Sequence, residues 1–187
     1  MKRTITAAAV AAVAVLALGC SSELSDNAAP VQLVVTNSQN MNQIDLGGGT
    51  GCDEAIGTVQ MRAIAKNANA AGPFVDVRIL RYRVSYVRTD GGKTVPAPFV
   101  RSIDTLLTVG GSPAGLSNFL AFEPGALTQA PFVALWPNNG GRDPETGSRI
   151  VKMDVLLEVF GQTLAGDDVY GTTRMPLDFC FSCGGCA

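Results

Sequence analysis

Residues 151–159 read VKMDVLLEV, which places Val151, Met153, Val155, Leu157 and Val159 on one side of an extended chain and Lys152, Asp154 and Glu158 on the other. Successive side chains of a strand point to opposite faces, so this alternation predicts a half-buried β-strand. TVQMRAIAK at 58–66 repeats the pattern with Val59, Met61, Ala63 and Ala65. VDVRILRYRVSYVR at 75–88 carries it twice, first through Val75, Val77 and Ile79, then through Tyr82, Val84 and Tyr86. The inward phase jumps from odd to even positions between the two halves, which predicts a β-bulge near Leu80 and Arg81. AGDD at 165–168 turns the chain, and VYGTTRMPLDFCF at 169–181 returns with Val169, Thr173, Met175, Leu177 and Phe179 on one face. Pro176 has no N–H to give a neighbouring strand, so this last strand is expected at a sheet edge. VQLVVTN at 31–37 and SIDTLLTV at 102–109 complete the candidate strands.

Between them lie turns and one irregular segment. TDGGKTVPAP at 89–98 is a turn-rich connection. Residues 110–148 hold Pro113, Pro124, Pro131, Pro137 and Pro144 among several glycines, which argues against a long helix. FVALW at 132–136 suits a short strand or one helical turn, and NNGGRDPETG at 138–147 reads as loop. Leu156 and Phe160 point away from the apolar face of their strand, and the apolar residues of 110–137 are expected to cover them.

The 187 residues are 47% hydrophobic and 16% charged, an ordinary content for one globular domain. There is no histidine, so the commonest general base and the commonest metal ligand are both missing. Serines such as Ser112 and Ser117 therefore have no imidazole to activate them. No carboxylate pair stands out for acid–base work, and no catalytic residue is assigned.

The N-terminus gives an address. Met1-Lys2-Arg3 precedes an uncharged run of 16 residues, TITAAAVAAVAVLALG, shorter than the roughly 20 apolar residues of a membrane span. It reads as a secretory signal peptide. Leu16-Ala17-Leu18-Gly19-Cys20 resembles the bacterial lipobox, with Ala17 and Leu18 exchanged relative to the commonest pattern. That resemblance implies diacylglycerol on Cys20, which becomes the acylated N-terminus after cleavage. The expected organisation is a signal peptide at 1–19, a lipid-anchored tether at 20–30 rich in small polar residues, and one domain at 31–187 ending in a cysteine-rich tail. Loss of Lys2 and Arg3 takes the basic count from 14 to 12 against 16 acidic residues, a net charge near −4. No basic cluster reads as a nucleic-acid surface, and attachment to a membrane would rest on the acyl chains. Ser21, not Asp, follows the lipobox cysteine, which by resemblance to enteric lipoproteins favours the outer membrane.

Cys52, Cys180, Cys183 and Cys186 form an even set. In an exported chain they are expected as two disulfides, and no cofactor or metal is assigned. Three pairings are possible. The preferred one joins Cys52, in the connection after the first strand, to Cys180 at the end of the last, with Cys183 closing on Cys186. The alternative is a metal or electron-transfer centre that uses the Cys-x-x-Cys-x-x-Cys tail with Cys52. Asp143 with Glu145, and Asp167 with Asp168, carry oxygen ligands suited to calcium, but a solvated acidic loop is the expected role. Trp136, Tyr82, Tyr86, Phe119, Phe122 and Phe132 are suited to lining a binding surface, but core packing and sheet covering are the expected role.

About seven strands and no amphipathic helix predict an all-β domain, an immunoglobulin-like or fibronectin-III-like antiparallel β-sandwich. RYRVSYVRTDGGKTVPAPF together with DVLLEVFGQTLAGDDVYG resembles a group of uncharacterised bacterial lipoproteins carrying such a domain, over residues 75–180. The resemblance implies fold and carries no assigned activity. The expected function is a non-enzymatic binding, adhesion or structural module of the cell envelope. Its partners would be the membrane, through the N-terminal lipid, and an envelope protein or glycan.

Overall fold

The computed structural model describes residues 29–39, 42–48, 57–67, 69, 72–116 and 119–184. The signal peptide, Cys20 and most of the tether, Cys52 and Cys186 lie outside the described residues. Among the described residues there are eight strands: β1 (Val31–Gln39), β2 (Gln43–Asp45), β3 (Gly57–Ala65), β4 (Val77–Arg88), β5 (Phe99–Leu107), β6 (Ala114–Gly115), β7 (Val151–Thr163) and β8 (Asp168–Cys180). They form two sheets, β1-β3-β6 and β2-β8-β7-β4-β5, the larger curled into a half-barrel. All neighbours are antiparallel except β2 with β8.

The inward phases are those the sequence predicts. Val77, Ile79, Tyr82, Val84 and Tyr86 of β4 are buried, and the register of β4 against both neighbours shifts between Ile79 and Arg81, where the bulge was expected. Val151, Met153, Val155, Leu157 and Val159 of β7 are at most 1% exposed. They face β1 and β3, whose Val31, Leu33, Val59, Met61 and Ala63 close the core from the smaller sheet. The sheets approach closely where β1 crosses β8. A Cβ placed on Gly171 would lie 2.6 Å from the Leu33 carbonyl oxygen, a backbone atom that cannot step aside. Gly171→Ala should therefore push the sheets apart and cost about 1–3 kcal/mol, read as a lower urea midpoint with an unchanged slope.

Three expectations are corrected, and one that had two outcomes is decided. The strand placed at 102–109 runs instead from Phe99 to Leu107, because extension begins directly after Pro98 and Thr108–Gly111 form a turn closed by Gly111 N–H on Thr108 O. Of the two alternatives for FVALW the helical turn is the one found, a 3-10 segment at Phe132–Leu135. The last strand is not the sheet edge, since β2 adds to it in parallel through Gln43↔Asp178, Ile44↔Phe179 and Asp45↔Cys180. That pairing starts two residues beyond Pro176, so the proline stays in a stretch that β2 does not reach.

The irregular segment, the third case, does not lie over Leu156 and Phe160, whose surroundings on the outward face are residues of β4, β7 and β8. It fills the end of the core instead. Phe122, Phe132 and Leu135 are buried there, with Phe132 and Phe179 ring centroids 4.4 Å apart and Phe122 stacked on Tyr86 at 5.2 Å. The Tyr86 hydroxyl donates to the Ala121 carbonyl at 2.8 Å. The smaller sheet is three strands against five. A curled sheet covered by so narrow a partner leaves apolar surface at one end, and this segment buries it.

Candidate functional site

The far side of the larger sheet carries a row of side chains across three strands. Arg81 of β4 stands opposite Phe160 of β7, which stands opposite Tyr170 of β8. The Arg81 guanidinium lies 5.2 Å from the centre of the Phe160 ring, and the Phe160 and Tyr170 rings are within 26° of parallel with centroids 6.4 Å apart. The cross-strand register and the bulge at Leu80 produce this row, because the bulge puts Arg81 on the outward phase. At the hairpin end, Gln162 Nε2 donates to Asp168 Oδ1 at 2.8 Å. These residues, with Leu80, line a depression of about 270 Å³. A second one, of about 500 Å³, follows along the same two strands between Ser85, Leu156, Glu158, Thr172 and Arg174. The two follow one another on the outward face of β7 from Leu156 to Gln162, a stretch of about 20 Å at the rise of an antiparallel strand that is called the groove below.

The groove is charge-balanced. Arg83 pairs with Glu158 at 3.6 Å and Arg174 with the buried Asp154 at 3.2 Å, while Arg81 and Asp168 sit at one end of the groove. Three guanidinium groups face three carboxylates, so no strong field selects a charged ligand. What the groove presents is ring faces, an aliphatic patch at Leu156, and many hydrogen-bonding groups of both kinds.

The acidic residues singled out as calcium candidates serve the protein itself. Asp143 is 1% exposed and accepts from Arg88 Nη2 at 2.8 Å and from Thr146 N and Oγ1 at 3.0 and 2.7 Å. Arg88 also grips Asp90 through Nε at 2.7 Å and Nη2 at 2.8 Å. Asp90 in turn accepts from the backbone of Gly92 at 3.1 Å and of Lys152 at 3.0 Å. A side chain on Gly92 would run into the Arg88 guanidinium, which accounts for glycine at that place in the TDGG turn. Burial alone would raise the Asp90 carboxyl, but the bonds from Arg88, Lys152 and Gly92 outweigh it and hold it down at about 2. Asp143 is likewise held below its ordinary value, burial opposing and Arg88 and Thr146 prevailing. Glu145 accepts from the backbone of Lys93 and Thr94, and these bonds hold it low. Asp167 and Asp168 bond Thr163 and Gln162 separately. Among the described residues no cluster of three or more His, Cys, Asp or Glu is placed to hold a metal ion.

At the chain end, Cys180 is bonded to Cys183 with Cα atoms 6.0 Å apart, in place of the pairing of Cys180 with Cys52 preferred from strand order. The turn after β8 folds back tightly enough to bring the nearer cysteine into reach. Asp45 holds that turn, accepting from Ser182 N at 2.8 Å and Cys183 N at 2.9 Å. The connection after β1 and the end of β8 do meet at one pole, as strand order requires, through Asp45 and the bond from Leu46 N to Cys180 O.

The expected aromatic core is observed for Tyr82, Tyr86, Phe122 and Phe132, with Phe119 partly buried against Tyr82 and Trp136 against Phe181. Phe160 and Tyr170 were not read as a site from sequence. The available signal was an aromatic residue on the outward phase of each strand of one hairpin. No family model, characterised protein or solved structure matches the chain.

Proposed function

We propose that this protein is a lipid-anchored envelope module with an immunoglobulin-like sandwich that binds an uncharged glycan along the β7–β8 groove and performs no chemistry on it. The observation that carries the reading is the outward row of Arg81, Phe160 and Tyr170 beside the Gln162–Asp168 pair. Ring faces suit the C–H face of a sugar, and neutral donors and acceptors at their rim suit its hydroxyls. Charge balance across the groove favours a ligand without net charge. The strand order supports the immunoglobulin-like reading. β1, β3 and β6 take the places of A, B and E, and β5, β4, β7 and β8 those of C′, C, F and G in a variable-type sandwich.

A binding role is also supported by the carboxylates. Each described one has a hydrogen-bond or ion-pair partner, and those whose titration moves, Asp90, Asp104, Asp143 and Glu145, are held low. A general acid needs the opposite shift. The alternative of a metal or electron-transfer centre loses two of its four thiolates to the Cys180–Cys183 bond.

Uncharged hexasaccharides of glucose, mannose and N-acetylglucosamine test the groove by calorimetry. At least one should bind wild-type protein, and Tyr170→Ala should weaken it tenfold or more, about 1.4 kcal/mol. Leu106→Ser, on the same sheet away from the groove, should bind as wild type. No binding by the panel, or equal binding by Tyr170→Ala, overturns the reading. For the anchor, Cys20→Ala should accumulate as unprocessed precursor, while the wild-type protein resists high-salt extraction and partitions into detergent. Release of the wild type by salt alone would overturn the lipid.

A further inference from the structure

The point where the tether joins the domain coincides with Phe74, the most exposed large apolar side chain among the described residues, and with the exposed Leu164. Pro30 O accepts from Lys66 N at 2.9 Å and Val31 pairs with Ala65, so the chain enters at the pole formed by the end of β3 and the start of β4. The ends of β5 and β7 and the start of β8 lie there too, since Val77 is opposite both Leu107 and Thr163. Three connections converge at this pole and are bonded to one another. Leu164 N donates to Asp76 O at 2.9 Å, Ala165 N to Phe74 O at 3.0 Å, and Val109 N to Asp76 Oδ1 at 2.9 Å. Phe74 sits in the 3-10 turn Pro73–Val75 and is 71% exposed, and Leu164 at the neighbouring hairpin tip is 51% exposed.

We infer that this pole seats on the bilayer, with Phe74 and Leu164 entering the lipid interface. The inference rests on the reading of Cys20 as lipidated. From Cys20 to Pro30 the chain can extend at most about 35 Å. The pole that receives the tether is therefore held close to the membrane. A single exposed apolar side chain is ordinary on a protein surface. Here two are fixed by the same backbone network on adjoining tips, at the end where the lipid arrives, which is the geometry of interfacial insertion. The carboxylates at this end accept from protein donors, Asp76 from Val109 N, Asp167 from Thr163 Oγ1 and the exposed Asp168 from Gln162 Nε2. Seated this way the domain stands upright, with the Phe160–Tyr170 end of the groove nearest the bilayer and Trp136 and Phe181 at the far pole.

The chain holds one tryptophan, Trp136, which serves as a built-in reference. Full-length lipidated protein, its F74W variant and, separately, its L164W variant are reconstituted into phosphatidylethanolamine–phosphatidylglycerol vesicles, with and without bromine on the acyl chains. Flotation reads the anchor, and quenching reads the docking. The added emission of F74W and L164W should shift to the blue and be lost to brominated lipid, while Trp136 in the wild type is not quenched. Flotation of both variants with unquenched emission overturns the docking and leaves the anchor standing, and the pole then faces a protein. Failure of the wild type to float overturns the anchor, and the docking falls with it. Quenching of Trp136 in the wild type as strong as that of the indole added in F74W overturns the upright placement.

Discussion

Phe132→Ala is expected to lower folding stability by about 3–5 kcal/mol, the usual cost of deleting a fully buried aromatic ring. Phe132 is 0% exposed and touches Phe179, itself 0% exposed, and Phe122. It belongs to neither sheet. Its removal opens a cavity under the end of the larger sheet, where no strand of the smaller sheet can move in to close it. The size of the effect separates two pictures of residues 110–148. A segment that is core costs several kcal/mol when truncated, whereas one that drapes over a finished sandwich costs less than about 0.5 kcal/mol at an ordinary surface position. The measurement is the urea midpoint of wild type and variant at one pH. A shift no larger than that of a surface substitution would return the segment to the status of a loop.

Asp143→Ala should be comparably costly. Arg88 and Asp143 have side chains 1% exposed, and breaking such a pair from one side leaves a buried guanidinium short of a partner, at about 3–5 kcal/mol. Asp90 remains bidentate on Arg88 in that variant, which puts the expected value toward the lower end. The pair ties the end of β4 to the 142–148 loop, and Asp90 ties both to the first residues of β7. Hydrogen exchange should therefore rise first in residues 142–148. The same carboxylates set the acid limit. Asp90 titrates at about 2 in the folded chain against an ordinary 3.8, and Asp143 is also depressed. A depressed carboxyl binds fewer protons folded than unfolded, so its stabilisation is complete above about pH 5 and is lost as pH falls toward 2. Wild-type stability should decline across that interval, and the decline should be shallower in Asp143→Ala. A pH-independent midpoint between 5 and 2 would contradict the network.

Local pattern carried most of the fold. The alternations of β3, β4, β7 and β8 and the bulge at Leu80 were legible because each depends on neighbours in sequence. β2 and β6 were not, since three and two residues cannot display a period. The position of Arg88 was readable in part. It continues the inward phase of Tyr82, Val84 and Tyr86, and a charged residue on a core face demands a partner. That the partner includes Asp143, 55 residues away, is a matter of tertiary structure alone. The candidate site divides the same way. Phe160 and Tyr170 lie out of phase on two strands joined by the AGDD turn, so sequence shows that both face outward. It does not show that register sets them side by side, or that segment 110–148 leaves them uncovered. In the tail, the even cysteine count was informative about oxidation and uninformative about connectivity. Cys180 bonds Cys183 because Asp45 folds the turn back on itself.

The central claim is that the outward face of β4, β7 and β8 is the working surface. Its most direct test is the nuclear magnetic resonance spectrum of labelled protein during titration with whichever hexasaccharide binds. Shift changes are expected along Leu156–Gln162 and Asp168–Arg174 and at the Arg81 and Arg83 side chains, with the tips at Phe74 and Leu164 and the strand β5 unmoved. Changes centred on those tips or on β5, with the Phe160–Tyr170 row silent, would contradict the account.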